Sequence, residues 1–270
     1  MAGVFEIADG FIDTVAKHHP LSATHMGVPG FDHLMPDYTP EAGEGFHNDV
    51  LAAYKDMQAA EPTNERERMC KDTFIDEISL SIEQYESREH LRDMNVLFSP
   101  VQSVRSIFDL MSQDSAEAWE NIASRMEKIG ESLDGYRRAL DVGRSEGLVT
   151  SIRQVSGTAE QCEVWSGNGD NDPFFDSMIA AFSASDISDD ALARRIENAA
   201  HLATDAYATM GEYLRNEYLP DATTVDGVGR DRYALSAKGY LGAEIDPEET
   251  YDWGWEQLAW VRSEITKTAE

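Results

Sequence analysis

Ser115–Leu140 reads SAEAWENIASRMEKIGESLDGYRRAL, and this stretch decides the fold. Trp119, Ile122, Ala123, Met126, Ile129, Leu133, Tyr136 and Leu140 recur at steps of three and four residues. That spacing places them on one face of an α-helix and leaves the charged residues on the other. Gly143 and Gly147 follow and are expected to close the helix.

The same period extends in both directions. Upstream, residues 3 to 17 place Val4, Ile7, Ala8, Phe11, Ile12 and Val15 on one helical face. A segment rich in Pro, Gly and His, from His18 to Tyr38, reads as a loop. Thr39-Pro40-Glu41 starts a helix, with Thr39 as N-cap and Pro40 at the first helical position. Asn64 with Glu67 resembles a capping box, and Cys70, Phe74, Ile78, Ile82 and Tyr85 mark the face of the helix that follows. Ser99-Pro100 starts another.

Downstream, Ile152, Val155, Ala159 and Cys162 point inward from a helix between Ser151 and Trp165. Phe174, Phe175, Met178, Ile179 and Phe182 form a short one. A long helix capped by Ser188 has Leu192, Ile196, Ala199, Ala203, Ala206, Met210, Tyr213 and Leu214 inside, and Pro220 ends it. Strict alternation is hard to find, so the fold class is all-α: an irregular multi-helix array over residues 1–270, read as a single domain.

The chain carries 51 acidic against 22 basic residues, a net charge of −29. Such a field repels phosphate backbones and anionic lipid, so nucleic acid and membrane surfaces are excluded as partners. The acids are spread evenly, as on a solubility- or salt-adapted surface; attraction to a cationic partner is the sharper alternative. Cys70 and Cys162 give no disulfide framework and read as free thiols in a reducing compartment. No apolar run is long enough to span a bilayer, and the N-terminus has no basic leader, so a cytoplasmic location is expected.

Candidate chemistry is sparse. His18, His19, His25 and His33 cluster in sequence with Asp32 and Asp37 nearby, but no HxxxH or HxH pair exists, and a polar loop is favoured over a metal site. Asn168 to Asp172 alternates acids as calcium loops do. Pro173 and Ile179 stand where such loops need Gly and Glu, so an Asx-rich turn is favoured. No GxSxG, reactive-cysteine setting or HExxH is present, and no catalytic residue or metal ligand is assigned.

The chain from Asp226 reads DGVGRDRYALSAKGYLGAEIDPEETYDWGWEQLAWVRSEITKTAE. A turn with Gly227 and Gly229 at positive φ is expected. Arg230 and Arg232 either pair with nearby carboxylates or hold a substrate carboxylate. Asp246 is an N-cap and Pro247 the first residue of a helix carrying three of the five tryptophans, Trp253, Trp255 and Trp260. Its stripe of Tyr251, Trp255, Leu258, Arg262 and Ile265 reads as core packing, with an aromatic ligand cage as the alternative. The helix has no stop signal, so its apolar face is expected to meet either the rest of the chain or a further part of a larger protein.

Gly227–Ile265 resembles a segment of a large bacterial family, the domain of unknown function 885, usually described as a zinc metallopeptidase. His19–Glu41, HPLSATHMGVPGFDHLMPDYTPE, is similar to that family's N-terminal segment. The resemblance implies a mostly helical, two-lobed, zincin-like fold about twice this long, with a deep substrate channel. The family's zinc motif lies in its second half and has no counterpart here, so zinc is implied for the full-length family and no cofactor for this chain. Gly229, Arg230 and Tyr233 match the family's Gly-Arg-Tyr element and become substrate-channel candidates. This sequence then reads as the N-terminal half: one wall of a peptide channel, inactive alone, partnered by the second half or by itself through residues 247–270. The alternative is a stand-alone acidic module that docks a protein through its aromatic last helix. The first reading expects an exposed apolar face on that helix, or a dimer that hides it.

Overall fold

The computed structural model describes residues 3–168 and 172–269, and among these the chain is all-α. Eleven α-helices are present, joined by short 3₁₀ turns and one π-helical turn. Ser151 and Thr223 make an isolated parallel bridge. The helices fall into two compact units, Met1–Asp226 and Gly227–Glu270.

In the first unit the helices are α1 (Val4–His18), α2 (Pro20–Met26), α3 (Pro40–Ala59), α4 (Glu65–Glu86), α5 (Pro100–Ser106), α6 (Ala116–Ser145), α7 (Ile152–Trp165), α8 (Asp176–Ser183) and α9 (Asp190–Tyr213). Several of their starts follow from side chains that satisfy orphan N–H groups. Thr39 Oγ1 accepts from Ala42 N at 3.2 Å, Asn64 Oδ1 from Glu67 N at 3.0 Å, and Ser115 Oγ from Ala118 N at 3.2 Å. Ser99 and Gln102 form a reciprocal capping box at α5.

Two cores result. A small one joins α1, α3 and α4 through Val4, Met57 and Ala60, with Phe11 set edge-on to Phe74 at 5.2 Å. His18 meets Asp49 and Val4 packs near Met57, so α1 and α3 run antiparallel; α3 and α4 form an antiparallel hairpin. The larger core is built on α6 and α9. Arg195 bridges Glu120 and Glu127, Gly130 faces Ala206, and Tyr213 Oη donates to Asp141 at 2.8 Å. Partners on the two helices rise together in number, so α6 and α9 are parallel. α7 packs on α9 and runs antiparallel to it: Trp165 lies on Tyr207 and Glu163 pairs with Arg215. Trp119, Ile122, Met126 and Ile129 are fully buried here, as the periodicity requires. Truncating one such aromatic to Ala removes about 3–5 kcal/mol.

Several expectations are corrected. The segment from His18 to Tyr38 is not all loop, because Pro20 at the first helical position and Gly27 at the C-cap bound the two-turn helix α2. Asp189, not Ser188, caps α9, accepting from Ala191 N and Leu192 N. Pro220 does not end α9; it sits in a 3₁₀ turn after the π turn Leu214–Tyr218. Ile12 (45%) and Ile152 (40%) are exposed rather than inward. Gly143 lies inside α6 rather than closing it. A Cβ there would come within 2.2 Å of Leu91 O, so only Gly permits this approach. Residues 169–171 of the calcium-like stretch lie outside the described residues.

The second unit holds α10 (Arg230–Leu241) and α11 (Pro247–Ala269). Asp246 Oδ1 accepts from Glu248 N at 2.8 Å and Glu249 N at 3.3 Å, as expected of the N-cap. Only Gly229 of the turn glycines has positive φ, at +84°; Gly227 does not. The core-packing expectation for α11 is overturned: no residue of this helix is buried, and Trp253, Trp255 and Trp260 are all more than half exposed.

Candidate functional site

The first unit contains a cavity of about 290 Å³ where α1, α3, α4 and α6 converge. His19 is at once the C-cap of α1 and the N-cap of α2, with φ −124° and ψ 70°. This break sets His18 and His19 against Phe46 of α3, at 5.2 and 4.5 Å between ring centres. His18 Nε2 also meets Asp49 Oδ2 at 2.8 Å. On the opposite wall, Tyr85 at the end of α4 is sandwiched between His47 (4.0 Å) and His90 (4.2 Å). Arg88, in the left-handed region at φ +62°, turns the chain so that His90 returns onto Tyr85. Glu146 accepts from its guanidinium at 2.7 Å and holds that turn. Tyr136 of α6 closes the floor and donates its hydroxyl to Asp93 O at 2.6 Å.

The electrostatics follow from this crowding. Burial lowers the pKa of His19, and His18 beside it adds to the effect. Burial, then Arg88 and His47, lower that of His90. Both imidazoles are therefore neutral at pH 7, and His90 Nδ1 is buried with no hydrogen-bond partner. Asp93 keeps exposed surface, yet it stands in a concavity walled by protein on most sides. That desolvation, with a smaller contribution from Glu89, raises its pKa to about 6. Burial and then the Asp93 charge push the Tyr38 and Tyr136 hydroxyls up. At neutral pH the cavity thus has neutral His19 and His90, aromatic walls and the ionised carboxylate of Asp93; Asp37 also lines it and accepts from Thr39 N at 2.9 Å.

Of the residues singled out in the sequence, His18 and His19 line this cavity, while His25 and His33 are exposed outside it. Gly229, Arg230 and Tyr233 lie together in the first turn of α10, in the second unit. Gly229 is its N-cap, Tyr233 N donates to Gly229 O at 3.0 Å, and the Tyr233 ring is half exposed. Arg230 Nη1 reaches Glu248 Oε1 at 3.1 Å, tying the start of α10 to the start of α11. Of its two expected roles, this is the carboxylate pairing. His90 and Asp93 escaped the sequence reading because their segment has no period. Tyr85 and Tyr136 were visible only as inward helical positions.

The sequence profile of the family described as "Bacterial protein of unknown function (DUF885)" matches residues 20–270. The chain belongs to the DUF885 family. A solved structure of a "putative lipoprotein" from Colwellia psychrerythraea is similar to this DUF885 chain in fold, with a TM-score of 0.73 at 12% sequence identity. The match covers 92% of this chain and 47% of that one, so the DUF885 chain spans about half the length of the structure it resembles. No curated protein matches it. Zinc, which the resemblance implies for the full-length family, does not fit the residues here. Among the described residues no three His, Cys, Asp or Glu side chains are grouped to hold a metal, and His18 is already engaged by Asp49.

Proposed function

We propose that this DUF885 chain is the N-terminal helical lobe of a larger peptidase-like protein. It lines one wall of the substrate channel and leaves the metal chemistry to the second half. The observation that carries this reading is α11. It spans 23 residues with three tryptophans and buries none of its side chains. Trp255 shares a side of the helix with Tyr251 and Leu258, while Trp253 and Trp260 lie on the other; exposed apolar surface of this extent marks an interaction surface, and its occupant here would be the second lobe. Gly229, Arg230 and Tyr233, beside α11 in sequence, would then border the channel. The free thiols Cys70 and Cys162 support a cytoplasmic location. The lipoprotein description of the Colwellia protein favours the cell envelope instead, and cell fractionation separates the two.

The test compares this chain with the same chain continued by its following coding sequence, measuring zinc content and hydrolysis of a peptide mixture. The extended polypeptide is expected to hold zinc and cleave peptides, with the α11 tryptophans shielded from acrylamide; the chain alone is expected to do none of these. Cleavage by the chain alone, or a zinc-free and inactive extended form, overturns the proposal. Tryptophans that stay quenchable in the extended form favour the alternative, an acidic module that docks a separate protein on α11.

A further inference from the structure

We propose that the cavity between α1, α3, α4 and α6 binds an organic ammonium group on a small apolar body, with Asp93 as its counter-ion. The inference stands apart from the peptidase reading, since every residue it uses lies in the first unit.

Three observations carry it. First, the walls are aromatic: Tyr38, Phe46 and Tyr136 supply apolar surface and ring electrons, and Tyr85, stacked on both faces, adds its edge; together they favour a hydrophobic cation. Second, Asp93 lines the cavity, and among the described residues no ion pair or hydrogen bond occupies its carboxylate, whereas Asp37, the other acid in the lining, accepts from Thr39 N. The Asp93 backbone, by contrast, is fixed by Tyr136, so the charge is positioned without being neutralised. Third, the cations nearby are all spent. Arg88 pairs with Glu146, Arg92 with Glu89 and Arg138 with Glu41. An anionic ligand would meet no free positive charge, whereas an ammonium would supply the missing partner of Asp93. A volume of about 290 Å³ suits a ligand with a single ring or short alkyl chain, at the small end of the usual range of roughly 300–1,000 Å³.

The same chemistry is offered by a free amine and by a peptide N-terminus. Calorimetric titration at pH 7.5 with 2-phenylethylammonium, 2-phenylethanol and phenylacetate tests the charge preference. The ammonium is expected to bind, with the alcohol and the carboxylate at least about tenfold weaker, the worth of one charge-assisted contact. Asp93→Asn, which breaks no bond within the protein, is expected to abolish the difference between ammonium and alcohol. Phe-Ala-amide and its N-acetyl form distinguish the sources. Binding of the free-N-terminus peptide in preference to the free amine assigns the site to peptide N-termini. The reverse order assigns it to small amines. No binding of any cation, equal binding of the alcohol, equal binding of the acetylated peptide, or unchanged affinity in Asp93→Asn overturns the proposal.

Discussion

Arg125 on α6 is the most consequential single side chain to remove. It has no exposed surface, and its guanidinium donates to Leu34 O at 3.0 Å, Pro20 O at 3.2 Å, Thr24 Oγ1 at 2.6 Å and Phe31 O at 3.4 Å. Those acceptors span α2 and the segment that leads into α3, so one cation pins both against α6. The covering layer is a single stretch of chain, and the desolvation is that of a shallow burial: the pKa falls to about 10, with Asp32 at 4.0 Å offsetting part of it, and the group stays charged at neutral pH. Removing one partner from such an arrangement costs about 3–5 kcal/mol, because the orphaned acceptors stay half-buried. Arg125→Met keeps most of the apolar stem and isolates the polar part. Urea unfolding followed by far-UV circular dichroism and tryptophan fluorescence is the assay. With a slope of roughly 2–3 kcal/mol/M, the midpoint should fall by about 1–2 M. Limited proteolysis should cut first between residues 27 and 38. If Arg125→Met lies within about 1 kcal/mol of the parent, the guanidinium is not what holds this segment, and the reasoning fails.

Other substitutions probe separate links. Gly143→Ala, which in an exposed helix would add up to about 1 kcal/mol, should here remove at least about 1–3 kcal/mol, because the new Cβ meets the backbone of Leu91 rather than a movable side chain; an unchanged or higher Tm refutes the close approach. Asp93→Asn should be more stable than the parent at pH 7. A carboxyl whose folded pKa of about 6 lies above its ordinary 3.8 destabilises the fold above pH 6, and that penalty fades as the pH falls toward 4. Parallel stability curves for the two proteins between pH 4 and 7 contradict this. Tyr207→Phe should remove about 1 kcal/mol, since the bond that the buried Tyr207 Oη donates to Val101 O at 2.9 Å is lost; a neutral result by thermal melting counts against that bond.

The helices were legible wherever a capping side chain met a long periodic face. Thr39-Pro40, Ser99-Pro100, Ser115 and Asp246-Pro247 all mark true starts, because each supplies an oxygen to orphan N–H groups or a ring suited to the first turn. α2 was illegible because its seven residues are too few to show a period. Gly143 was misread because a glycine that ends a helix and one that admits a neighbouring backbone look alike in sequence; only the Leu91 carbonyl tells them apart. The cavity was invisible for a similar reason. Its residues come from α1, α3, α4, the turn around His90 and α6, and no short-range spacing links His19 to Asp93. The start of α11 was legible in Asp246-Pro247, but the spacing of its aromatic residues does not say what covers them.

The parallel pairing of α6 and α9 has a consequence for how the chain is made. α6 is complete at Ser145, but α9 does not begin until Asp190. At ~5–20 residues per second, those ~45 residues take roughly 2–9 seconds to synthesise. The same delay separates the emergence of the two helices from the ribosome, and for that time the stripe of Trp119, Ile122, Met126 and Ile129 stands outside without the helix that will bury it. The hairpin of α3 and α4, by contrast, closes on itself as it emerges. The newborn protein therefore passes through a stage with a finished N-terminal bundle and one naked aromatic helix, a natural target for a chaperone that reads apolar surface.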